Sequence, residues 1–119
     1  TLWDNLQKEV ELFIQSECIG LGLFTKTDVE NQNPDAPLFK KYFMHGNSHH
    51  LGLDVHDVWN KYRPFEAGMV LTNEPGIYIK EEGIGIRLEN NILITENGNI
   101  NLMANIPIEI EEIEGLMNS

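Results

Sequence analysis

The stretch His45-Gly46-Asn47-Ser48-His49-His50-Leu51-Gly52-Leu53-Asp54-Val55-His56-Asp57 holds all four histidines of a 119-residue chain. Imidazole is the commonest neutral metal ligand and the side chain that titrates nearest neutral pH. So dense a cluster, next to Gly46 and Gly52, points to a site rather than to ordinary surface. His45 and His49 stand four residues apart, which on a helix would put them on one face. Gly46-Asn47-Ser48 is a poor helix interior, however, and argues against a helical zinc motif. An extended or looped segment is the expectation. In that form His45, His49 and His56 can line one pocket without all of them binding metal.

Two segments further along carry the carboxylates that such a pocket needs. Glu74 sits inside Val70-Leu71-Thr72-Asn73-Glu74-Pro75-Gly76-Ile77-Tyr78. A charge among apolar strand residues is costly to bury without a partner, and a metal ion or an arginine would serve. The plainer alternative is an edge-strand glutamate at a Pro-Gly turn. In Ile84-Gly85-Ile86-Arg87-Leu88-Glu89, alternation places Arg87 and Glu89 on one face of a strand and Ile86 and Leu88 on the other. The plainer alternative there is an exposed ion pair worth about 0–1 kcal/mol. One imidazole-rich loop and two strand carboxylates suit Mn, Fe, Co or Zn better than Ca or Mg. Such a centre activates water and polarises a carbonyl, so the residues alone point to a metal-dependent hydrolase.

Composition sets the outer bounds. The net charge of −11 argues against a nucleic-acid partner, because contacts to a phosphate backbone need Lys and Arg. The same charge argues against anionic membrane surfaces. Glu109, Glu111, Glu112 and Glu114 read as a solvated helix face. Cys18 is the only cysteine, which rules out an internal disulfide and a cysteine-based zinc site. A reducing compartment, the cytoplasm, is the expected location. No apolar run approaches the roughly 20 residues that span a bilayer. The chain opens at Thr1-Leu2-Trp3 directly in helix pattern, as if cut from something longer.

The remaining pattern suggests an α+β order. Residues 1–18 read as a helix with Leu2, Leu6, Val10, Phe13 and Ile14 on its inner face, stopped by Gly20 and Gly22. Cys18 near its end reads as a small buried residue rather than a nucleophile. Thr25-Lys26-Thr27-Asp28 has capping-box spacing for a short helical turn over 26–31. Short strands are expected over 69–72, 77–79, 84–88 and 92–95, with a turn at Asn97-Gly98 and a last strand near Ile100. Pro107 opens a final helix over 108–117, with Ile110, Ile113, Leu116 and Met117 inside. Helices at the ends and strands between them make an α+β fold.

Three segments together, His45–Asp57, Gly68–Tyr78 and Gly83–Asn91, closely resemble in order and spacing the second half of the Xaa-Pro aminopeptidases (aminopeptidase P). The resemblance covers nearly the whole chain, including the closing Ile110–Met117. It implies the C-terminal half of a pita-bread fold, a pseudo-symmetric domain with a curved antiparallel sheet flanked by helices. Residues 1–119 would then be the C-terminal portion of the catalytic domain, without its upstream half. The implied activity is release of the N-terminal residue from peptides whose second residue is proline. The implied cofactor is a pair of divalent ions, Mn2+ first, with Zn2+, Co2+ or Fe2+ as alternatives. By motif, His49, Glu74 and Glu89 are metal ligands, with Glu89 bridging and Glu74 also an acid/base partner. His45 and His56 match histidines that bind substrate and stabilise charge on the scissile carbonyl. Arg87 would orient the carboxylates. The resemblance also implies a proline-containing peptide as partner and a homo-oligomer in the full-length protein.

The family's two aspartate ligands lie upstream in Asp-x-Gly and Asp-x-Thr patterns, and this chain has neither. It supplies three of five ligands, and is expected to be inactive alone. Smaller departures are His50 where an aromatic is common, Asn73 where an apolar residue is common, and Asn90-Asn91 where Asp-Asp is common. Prolidase, which cleaves Xaa-Pro dipeptides, shares most of these motifs, although Ser48 before His49 leans toward the aminopeptidase. A pita-bread module that binds peptide without catalysis is the other alternative. Retention of His49, Glu74 and Glu89 argues against it.

Overall fold

A computed structural model describes residues 1–119. Helix α1 (Trp3–Gly20) buries Ile14 and Cys18, with Val10 partly covered. These three are four residues apart, so the inner stripe is rotated from the expected one. Phe13 is exposed, and Cys18 has taken its place. The helix stops in a Schellman motif: Leu23 N–H donates to Cys18 O and Gly22 N–H to Ile19 O, both at 3.0 Å. Gly22 carries the positive φ of +78° that this motif needs.

Helix α2 (Lys26–Glu30) begins with the complete capping box: Asp28 N–H donates to Thr25 Oγ1 and Thr25 N–H to Asp28 Oδ2. A 3-10 turn at Leu38–Lys41 then packs Phe39, Tyr42 and Phe43 against Ile14, Cys18 and Phe24. This cluster is the core, and the chain leaves it directly into His45. Cys18 is wholly buried, and burial followed by the charge of Glu17 pushes its thiol pKa up. A buried, protonated thiol is inert, as expected of a packing residue.

Five strands follow: β1 (Val70–Asn73), β2 (Gly76–Ile79), β3 (Ile84–Arg87), β4 (Asn90–Thr95) and β5 (Gly98–Asn101). They form two antiparallel sheets, β1-β4-β5 and the hairpin β2-β3. Pro75 therefore does more than interrupt one strand. It marks the point where the chain leaves the first sheet for the second, because a proline cannot donate to a ladder. Gly83, at φ +64°, closes the β2-β3 hairpin. The architecture is α+β with antiparallel strands, as the sequence indicates.

The C-terminal helix α3 (Ile110–Met117) departs from expectation. It begins three residues after Pro107, with Glu109 at its N-cap. Its intended inner face is open: Ile110, Ile113, Leu116 and Met117 are all exposed. Ile84, Ile86 and Leu88 are exposed too, so the apolar side of the hairpin is also uncovered. Only 10 of the 119 residues are buried, six of them in the core under α1 and, among the rest, Asn47, Leu71 and Thr72 where the histidine segment meets β1.

Candidate metal centre

The histidine stretch is extended, not helical. From Asn47 to Leu51 it runs antiparallel beside β1. Leu51 N–H donates to Val70 O (3.1 Å), Thr72 N–H to His49 O (2.9 Å) and Glu74 N–H to Asn47 O (2.8 Å). Asn47 is buried and acts as the hinge of this arrangement. Its N–H donates to Gln7 Oε1 of α1, and its side-chain amide donates to Ser48 Oγ and Asn73 Oδ1. The helix thus fixes the start of the loop, and β1 fixes its course.

This pairing brings His49 and Glu74 together across the two segments. His49 Nε2 lies 3.1 Å from Glu74 Oε2, and both side chains are about four-fifths buried. His49 Nδ1 lies 3.0 Å from His50 O. A carbonyl can only accept, so Nδ1 donates to it. Nε2 then faces the Glu74 carboxylate either as a lone pair, which calls for a cation between the two, or as the N–H of an imidazolium that donates to Glu74. Glu89, just past the end of β3 and exposed, completes the group: one donor atom from each of the three lies within 4.8 Å of the others.

The other histidines have different surroundings. His56 is exposed and sets its ring edge-on to His49, with centroids 4.4 Å apart. His50 stacks on Trp59 at 4.7 Å. Burial holds its pKa below the ordinary imidazole value, against the opposing charge of Asp57. His45 has both nitrogens engaged: Nδ1 donates to Gly46 O and Nε2 accepts from Tyr78 Oη, each at 2.8 Å. Neither is free for a metal in this arrangement, which leaves the ring edge and face to meet a ligand. Arg87 is exposed at the end of β3 and forms no ion pair.

Two contributors were not evident from sequence. Tyr78 reaches His45 because its ring lies over glycines on both strands of the hairpin. A Cβ on Gly76 would meet Tyr78 Oη at 2.7 Å, and one on Gly85 would meet Cδ1 at 2.7 Å. The Gly-x-Tyr spacing with Gly85 paired opposite Tyr78 was the available signal. Thr72, directly opposite His49, carried no signal, since a threonine in a strand is ordinary. The largest cleft, about 390 Å3 between α1 and the first sheet, is lined by Leu6, Val10, Leu71, Ile92 and Ile94 and includes none of the three clustered donors.

The model of metallopeptidase family M24 matches residues 1–96. The chain belongs to that family. It is 51% identical over 112 residues to an Xaa-Pro aminopeptidase of Haemophilus influenzae, covering 84% of this chain and 26% of that protein. Its fold superposes on proline aminopeptidase P II from Yersinia pestis with a TM-score of 0.80 at 38% identity, covering 99% of this chain and 30% of that one. A zinc-substituted Escherichia coli aminopeptidase P in complex with product gives a TM-score of 0.76 at 40% identity over 98% of this chain and 29% of that one. The fold is therefore that of one part of the pita-bread domain. The chain spans about a quarter of the length of the curated relatives it matches.

The donor set fits a divalent metal. Ligand atoms stand about 2.0–2.2 Å from such an ion, so neighbours on one ion are roughly 3 Å apart and opposite ones about 4 Å. The His49–Glu74 separation matches neighbours on one ion. The three donors lie within 4.8 Å of one another, close enough that small side-chain adjustments would let them share an ion. One imidazole and two carboxylates favour a transition metal or zinc over calcium. No helix is long and apolar enough to cross a membrane.

Proposed function

We propose that the protein is a metal-dependent Xaa-Pro aminopeptidase and that residues 1–119 form the C-terminal portion of its catalytic domain. The observation that carries this reading is the His49–Glu74 pair at 3.1 Å with Glu89 in the same donor group. The relatives named Xaa-Pro aminopeptidase support the activity. The exposed faces of β3 and α3 support a larger domain, because apolar surface on this scale is normally covered.

His49, Glu74 and Glu89 hold divalent metal, Mn2+ by preference, and two further carboxylates come from upstream. The bound metal supplies Lewis acidity toward the scissile carbonyl and lowers the pKa of water at the site. Glu74, held at its N–H by Asn47 O, is placed to take and return a proton. His49 is fixed in the Nδ1–H tautomer by His50 O, which keeps Nε2 for the metal. His56, against the His49 ring, is placed to donate toward an oxygen that gains charge. His45 presents its ring, steadied by Tyr78, as a wall for the peptide. Arg87 is free to meet a carboxylate from the rest of the domain.

The test is hydrolysis by the full-length protein of Xaa-Pro-Xaa tripeptides and Xaa-Pro dipeptides, with and without added Mn2+. Metal-dependent cleavage of the tripeptides is expected. Preference for dipeptides would reassign the protein to prolidase, and no cleavage with metal bound would favour a binding module.

A further inference from the structure

The histidine segment is tied to β1 by one backbone bond at each of three facing pairs: Leu51 N–H to Val70 O, Thr72 N–H to His49 O and Glu74 N–H to Asn47 O. In an antiparallel pair, the two residues of a hydrogen-bonded pair exchange both N–H···O=C bonds. Thr72 N–H donates to His49 O in this way. The return bond does not go to a carbonyl. His49 N–H donates instead to the side-chain hydroxyl, Thr72 Oγ1, at 2.9 Å. Thr72 is 1% exposed, among the most buried side chains in the chain.

A hydroxyl that deep is unfavourable unless it is bonded, and valine would fill the same space with a higher strand preference. Its one protein partner at that oxygen is the backbone of His49. Substituting a side-chain acceptor for the carbonyl changes where the His49 N–H is held relative to β1. Glu74 lies two residues beyond Thr72, just past the end of β1, where its N–H still donates to Asn47 O of the histidine segment. The hydroxyl therefore acts on the separation of the two side chains that meet at 3.1 Å.

We propose that Thr72 is a positioning residue for the metal centre: its hydroxyl, in place of a ladder carbonyl, sets His49 opposite Glu74. The proposal rests on the reading of His49 and Glu74 as metal ligands. Thr72 does not itself touch the donor group, so it acts through His49. Groups that orient a ligand commonly affect metal affinity by about 10–100-fold when removed.

The experiment uses the full-length protein and two readouts, the Mn2+ dissociation constant by calorimetry and the thermal midpoint without metal. Thr72→Val keeps the shape and removes the acceptor. Thr72→Ser keeps the acceptor and removes a buried methyl. The expected result is that Thr72→Val weakens Mn2+ binding at least about tenfold, while Thr72→Ser binds as wild type even though its midpoint falls. Should Thr72→Val fail to fold, Thr72→Ala against Thr72→Ser isolates the same hydroxyl, and only Thr72→Ala should lose affinity. Wild-type affinity in Thr72→Val or Thr72→Ala would overturn the proposal and leave the metal site standing. So would losses in all variants that track the fall in midpoint. Failure of the wild-type protein to bind Mn2+ would overturn the metal reading itself and the proposal with it.

Discussion

The two sides of the donor group are held very differently. On the His49–Glu74 side, backbone bonds from Thr72, Asn47 and His50 fix both residues, and their side chains are mostly buried. On the Glu89 side, the ligand follows a strand whose four residues are all exposed, and neighbouring Leu88 is exposed as well. The contrast shows which part of the centre this chain organises by itself. One imidazole and one carboxylate are preset by local pairing. The third ligand and Arg87 stand on a hairpin whose outer face is bare. A site of this kind is half preorganised, and its second half depends on cover from elsewhere in the domain.

The strongest way to break the contrast is to remove a ligand from each side in the full-length protein. Glu74→Ala and Glu89→Ala should each lower tripeptide hydrolysis by three orders of magnitude or more, about 4 kcal/mol of barrier. Metal content should separate them. Loss at the preset side should release metal more completely than loss at the open side, measured by elemental analysis after dialysis. Equal retention in the two variants would remove the distinction.

The next effect concerns the hairpin that carries Tyr78. Gly85→Ala places a methyl 2.7 Å from the Tyr78 ring, and the ring sits between two strands where it has little room to give. Overpacking of this kind costs about 1–3 kcal/mol. Tyr78→Phe removes only the bond to His45, about 1 kcal/mol. Denaturant titration of the full-length protein should rank them in that order. The reverse ranking would mean that the hydroxyl, not the glycine bed, holds the ring.

The bare side also predicts association. The isolated 119-residue chain exposes Ile84, Ile86, Leu116 and Met117, and should self-associate at micromolar concentration. Ile86→Lys should shift sedimentation toward monomer. A wild-type chain that sediments as a clean monomer would show that these faces need no cover.

How far the sequence revealed this arrangement follows the same division. Helix α1 and the strands were legible because apolar spacing and turn residues mark them. That His49, Glu74 and Glu89 would gather in one place was legible because His, Glu-Pro-Gly and Arg-x-Glu stand in a known order. The inner stripe of α1 was misplaced because Cys18 counts weakly as an apolar signal, while Phe13 counts strongly and is exposed. The inner face of α3 was misjudged because periodicity says which side is apolar, not whether anything covers it. Thr72 and Asn47 were invisible, and Tyr78 was marked only by its neighbouring glycine, because their roles arise from partners 23 to 40 residues away.

The smallest effect lies furthest from the centre, in the cap of α2. Asp28 accepts the Thr25 N–H while its own N–H donates to Thr25 Oγ1. The Thr25 N–H first, and the Thr25 hydroxyl second, favour the carboxylate and lower the Asp28 pKa from 3.8. A lowered folded-state value means that the unfolded chain binds more protons in that range, so stability rises with pH. The contribution is present above the unfolded value near 3.8 and is lost as pH falls through the lower folded value. Asp28→Asn should therefore be less stable than wild type at pH 7, and the gap should close toward pH 3, read by thermal unfolding. Metal affinity at pH 7 should not change, because α2 contributes nothing to the His49–Glu74 pairing. A change in Mn2+ binding in Asp28→Asn would show that scaffold and centre are coupled, and that the preset side owes its geometry to more than the Asn47–Leu51 pairing with β1.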